Sequence, residues 1–176
     1  LTEDVASVYI QQPSFFGQLE DATAIGEMVH AAGAMYIMGC NPIALAIMKT
    51  PKDCGADIAV GEGQPLGMPL SYGGPYLGFM ATLTKHMRKL PGRIVGQTTD
   101  SKGDTAYVLS LQAREQHIRR EKASSNICSN QALCAFTAGL YMATMGPDGM
   151  AEAANQSMAK AHYLAAKLCE IPGVIL

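Results

Sequence analysis

Val5-Ala-Ser-Val-Tyr-Ile-Gln11, then Gln18 to Ala32, then Ala34-Met-Tyr-Ile-Met38: these three stretches decide the fold. The first is rich in β-branched and aromatic residues and is followed by Pro13, which reads as a strand. The second sets Leu19, Ala22, Ile25, Val29 and Ala32 at three- and four-residue spacings, with Gly33 where a helix C-cap belongs. That pattern predicts a helix with one apolar face. The third is apolar and predicts a second, buried strand. A strand-helix-strand unit of this length implies a right-handed parallel crossover.

Working outward, Asn41-Pro42 supplies an N-cap and a first-turn proline for a short helix over Ile43 to Lys49, stopped by Pro51. Strands are expected over Asp57 to Val60 and Tyr76 to Thr82, and a basic helical turn over Thr84 to Leu90. Arg93 to Gly96 and Thr105 to Leu111 are apolar enough to pair as a hairpin across a polar span containing Ser-Lys-Gly-Asp. The most charged run, Gln112 to Asn126, reads as a solvated loop or helical turn. Ser129 or Asn126 would cap a helix running to Met145 with Gly146 as its stop, and Pro147 or Asp148 would open a long helix to Glu170. Alternating strands and helices give an α/β layer architecture. Residues 1–146 are expected to form part of a large α/β domain, and 147–176 a long helix leading into a truncated C-terminal small domain. The ends suggest an internal fragment of a longer protein, because Leu1 is not a start methionine and the chain stops inside an apolar run.

At 176 residues, 48% hydrophobic and 16% charged, the chain is long and apolar enough to fold around one sizeable core. A formal charge of -2 offers no general attraction for nucleic acid or an anionic membrane, and neither is expected as a partner. Cysteines 40, 54, 128, 134 and 169 are odd in number and lack any Cys-x-x-Cys pair, so they read as reduced, mostly buried thiols and favour a cytoplasmic setting. No apolar run is long enough to span a bilayer, and no metal-ligand spacing is present.

Between Gly55 and Ala81 lies a segment dense in glycine, punctuated by Pro65, Pro69 and Pro75, which describes a shaped loop. Its Gly61-Glu-Gly63-Gln-Pro-Leu-Gly67 spaces the last glycine one residue too far for a dinucleotide fingerprint, and no Gly-Lys-Ser or Gly-Lys-Thr is present. Ser71 lies in Pro-Leu-Ser-Tyr-Gly rather than a hydrolase elbow. Of the four histidines only His117 has suggestive neighbours, the cluster Arg114, Arg119, Arg120 and Lys122 offset by Glu115 and Glu121. That cluster suits an acidic partner, a carboxylate or a phosphate, or else internal ion pairs and solvent.

The run Arg114-Glu-Gln-His-Ile-Arg-Arg-Glu-Lys-Ala-Ser-Ser-Asn-Ile-Cys128, with Pro-Gly-Arg-Ile-Val-Gly96 before it and Gln131-Ala-Leu133 after it, resembles glycine decarboxylase, the P-protein of the glycine cleavage system. Pro-Leu-Ser-Tyr-Gly-Gly-Pro75 agrees with the first of that family's two related subunits, or the N-terminal half of its single-chain form. The resemblance covers essentially the whole chain but only part of a family subunit. It implies a three-layer α/β fold, a mostly parallel sheet between helices like the large domain of the pyridoxal-phosphate enzymes of the aspartate-aminotransferase type (fold type I). It also implies the reaction: glycine loses its carboxylate as carbon dioxide, and its aminomethyl group passes to the lipoyl arm of the H-protein. The cofactor of that reaction is pyridoxal 5'-phosphate, which needs a lysine for its covalent link and an aspartate at its pyridine nitrogen.

Against the family's cofactor-bearing subunit, Tyr-Ile-Asp-Gly-Ala-Asn corresponds to Tyr36-Ile-Met38-Gly-Cys-Asn41, and in the same ungapped register the cofactor lysine falls on Pro65. A thioether carries no negative charge, and proline has no side-chain amine. The resemblance therefore implies a chain without catalytic or cofactor-binding residues of its own, working with a cofactor-bearing sister subunit. Residues expected to face the partner's active site or the lipoyl path are Ser71, Tyr72, Gly73 and Gly74 in one loop, and Arg114, Gln116, His117, Arg119, Arg120, Ser125 and Asn126 in the other. Two other readings are an autonomous pyridoxal-phosphate enzyme using Lys49 or Lys85, and a non-catalytic binding module with a basic loop.

Overall fold

A computed structural model describes residues 1–111, 115–123 and 130–175. Its elements are β1 (Ser7–Gln12), α1 (Ala22–Ala31), β2 (Met35–Cys40), β3 (Ile58–Glu62), β4 (Gly78–Thr82), β5 (Ile94–Thr99), β6 (Thr105–Ser110), α2 (Gln116–Arg119) and α3 (Ala132–Cys169). The chain divides into two compact units, one made of Leu1–Ala81 and Gln131–Leu176, the other of Thr82–Asn130.

In the first unit the strands lie in the order β1-β2-β3-β4. β1 and β2 are parallel, as are β2 and β3, so the crossover expected from the first 38 residues is present. The Gly63 amide meets the Leu77 carbonyl at 2.7 Å while Gly61 lies against Phe79, so residue numbers run in opposite senses along β3 and β4. The result is a mostly parallel mixed sheet with helices, the α/β class that the sequence implies. Helix α1 covers one face. Val29, Tyr36 and Met38 are fully buried there with Ala22, Ala34, Cys54 and Ala56, and Val5, Val8, Ile10 and Ile25 pack around them.

Local chemistry sets the ends of these elements. Helix α1 begins at Ala22, later than the expected Gln18, because Gln12 and Glu20 lock the entry. The Gln12 side chain donates to the Glu20 carbonyl at 2.9 Å and accepts the Glu20 amide at 3.1 Å, and Asp21 then caps the helix through Ala24 N at 3.1 Å. Gly33 ends it with φ of 74°, donating to the His30 carbonyl as Ala34 donates to Val29. The helix expected over Ile43 to Lys49 is only a 3-10 turn, Ala44–Ala46. Asn41 does cap it, its side-chain oxygen accepting Ile43 N at 2.9 Å and Ala44 N at 3.2 Å, but one turn before Pro51 repays little of the cost of nucleation.

Helix α3 has a break at Gly146 (φ 62°, ψ -179°), a conformation open essentially to glycine alone, and Pro147 restarts the helix as the sequence predicts. Both capping residues proposed for its start, Asn126 and Ser129, lie outside the described residues; the residue at the cap position is Gln131. In the second unit β5 and β6 form the expected antiparallel hairpin, with Ile94 opposite Ser110 and Thr99 opposite Thr105. Asp100 closes its turn by accepting the amides of Lys102 at 2.8 Å and Asp104 at 3.0 Å.

Candidate functional site at the strand ends

Ligands of open α/β sheets bind beyond the carboxyl ends of the parallel strands, and a cleft of about 450 Å³ lies at that end of β1, β2 and β3. The strand register builds its floor. Gln11 stands beside Gly39 and Gly39 beside Val60, so these three share one face of the sheet. Glycine at 39 is required by a close approach: a Cβ there would run into the Tyr9 hydroxyl. Gly61 is hemmed by the Phe79 ring and by the Cys40 carbonyl, which would stand 2.5 Å from a Cβ. Cys40, Asn41, Glu62 and Pro65 complete the rim. Burial pushes the Cys40 thiol upward, and its Sγ lies 3.6 Å from the Val60 carbonyl, so at neutral pH it is a neutral weak donor rather than a nucleophile.

Met38 and Pro65, the residues expected at the family's aspartate and lysine positions, do not meet in this cleft. Pro65 lines it. Met38 pairs with Ile10 and Ala59, one residue out of phase with the cleft row, and is fully buried in the core. It borders a second cavity of about 320 Å³ with Gln12, Asp21, Thr23, Lys49 and Cys54. Lys49 donates to Thr23 Oγ1 at 3.4 Å there, and Asp21 is engaged as the helix cap. The residues present do not fit pyridoxal phosphate. Among the described residues that line it, the strand-end cleft has no lysine, arginine or histidine to hold a phosphate or form the covalent link, and the carboxylate among them, Glu62, is committed to backbone amides. No group of side chains among the described residues is arranged to hold a metal ion.

Ser71, Tyr72, Gly73 and Gly74 form a continuous turn in the first unit with φ values of 43, 55, 119 and 155°. Tyr72 is fully exposed. Gln116, His117 and Arg119 form the short helix α2 of the second unit, all exposed, and Arg120 follows with φ of 52°. Gln116 and Arg120 line a shallow cleft with Glu121 and Ala123. Arg114, Ser125 and Asn126 lie outside the described residues. The charged run is not simply solvated, since Glu115 is buried at 3% exposure and its backbone carbonyl accepts the amides of Ile118 and Arg119. The expectation of mostly buried thiols holds for Cys40 and Cys54 but not for half-buried Cys134 or exposed Cys169, and Cys128 lies outside the described residues.

Two features were missed from the sequence. Glu62 ties the two ends of the glycine loop together, accepting Gln64 N at 2.9 Å and Leu77 N at 2.6 Å. Its position between Gly61 and Gly63 at the end of a strand was the available signal. Asp57 is a buried carboxylate that accepts the Tyr36 amide at 3.1 Å and meets His30 Nε2 at 2.9 Å. It sits at the opposite end of β3 from the cleft and is therefore structural.

The sheet and its strand-end cleft are of the open α/β kind, and likeness to solved structures gives the class: the fold is that of the fold-type-I pyridoxal-phosphate enzymes. Mouse CSAD shares it with a TM-score of 0.63 at 14% identity, which speaks for the fold alone. Residues 1–175 match the family model of the glycine cleavage system P-protein, and the chain belongs to that family. It is 53% identical over 176 residues to the probable glycine dehydrogenase (decarboxylating) subunit 1 of Desulfitobacterium hafniense, covering all of this chain and 40% of that protein. It is 56% identical over 172 residues to the protein of the same name from Moorella thermoacetica, covering 98% of this chain and 39% of that one. A crystal structure of glycine decarboxylase (P-protein) of the glycine cleavage system, in inhibitor-bound form, superposes with a TM-score of 0.95 at 47% identity, over 98% of this chain and 40% of that one. The chain thus spans about 40% of the length of the curated relatives it matches. No helix among the described residues is long and apolar enough to cross a membrane.

Proposed function

We infer that this chain is part of the first subunit of a glycine dehydrogenase (decarboxylating), and that it shapes the complex without carrying the cofactor. The relatives' names give glycine dehydrogenation with decarboxylation; the activity proposed for the complex releases carbon dioxide from glycine and passes the aminomethyl group to the lipoyl arm of H-protein. In that activity pyridoxal phosphate, held by the sister subunit, supplies the electron sink. The observation that carries this reading is the make-up of the strand-end cleft: Pro65, proposed to take the place of the covalent lysine, lines it, Met38 is turned into the core, and the described residues of the rim include no cation. This chain's contribution is then steric and orienting, through the Ser71 to Pro75 loop and the Gln116 to Arg120 segment, which are proposed to face the partner. Residues 1–146 are proposed to belong to the large domain and 147–176 to lead into a small one, in a cytoplasmic complex.

The test is to reconstitute full-length subunit with its partner, add pyridoxal phosphate, reduce with borohydride and map the modified lysine. The expected result is one stoichiometric adduct, on the partner. A stoichiometric adduct on Lys49 or Lys85 would overturn the reading, and so would full glycine decarboxylation by the partner alone.

A further inference from the structure

We draw no further inference here: the strongest candidate, the strand-end cleft with the β3–β4 loop that Glu62 clamps at its rim, belongs to the site already described, and in a chain that spans about 40% of the length of its curated relatives nothing in the structure shows what covers the cleft or the exposed tip of the loop.

Discussion

Two buried polar residues show how single side chains hold this fold. Tyr36 is fully buried and donates to the Ala22 carbonyl at 3.0 Å. Burial, helped by the nearby Cys54 thiol, pushes its pKa up to about 12. A raised acid pKa means that the folded state keeps its proton where the unfolded chain, titrating near 10, has lost it. Stability is therefore complete below pH 10 and falls as pH rises toward 12. Chemical denaturation across that window should show the decline, and Tyr36→Phe should flatten it. Asp57 accepts the Tyr36 amide from a nearly buried position, so Asp57→Ala strands a buried donor and should cost about 1–3 kcal/mol in urea unfolding. His30 is 45% exposed at its side chain, and His30→Ala should cost less than Asp57→Ala.

At the scale of elements, the packing of α1 on the sheet depends on the absence of a side chain at Gly26. A Cβ there would stand 2.6 Å from the Cys54 carbonyl and 3.0 Å from the Tyr36 ring. Alanine favours a helix over glycine by about 1 kcal/mol, yet backbone and a buried ring cannot yield, so Gly26→Ala should still lose about 1–3 kcal/mol. Gly39→Ala is the contrast. Its new methyl meets the end of Tyr9, a side chain 56% exposed and free to swing, so the loss should be smaller. Urea midpoints of the two variants, measured side by side, check the order. These close approaches were not legible beforehand, because a glycine inside a helical pattern looks like any other until its neighbour across the layer is known.

For the whole molecule, the division into two units separates what the charged run and the glycine loop share in sequence neighbourhood. The Ser71 to Gly74 turn belongs to the unit that contains the sheet, and Gln116 to Arg120 to the unit of the hairpin. Exposed side chains such as Tyr9 on the second sheet face and Tyr107 on the hairpin belong to a chain that spans about 40% of its curated relatives. The borohydride mapping proposed above is a whole-molecule test for that reason, since it needs the partner.

The amino-acid order by itself determined the alternation of strands and helices, the parallel crossover from Val5 to Met38, the helix stop at Gly33 and the break at Gly146, since all of these follow from periodicity and the torsions of glycine and proline. It also determined that positions 38 and 65 carry no aspartate and no lysine. What only the tertiary structure decided was where those two residues point. A strand turns alternate side chains to opposite faces, so Met38 went to the core and its neighbour Gly39 to the cleft, a choice fixed by which face α1 covers. The Glu62 clamp, too, exists only once residues fifteen positions apart are folded onto one oxygen.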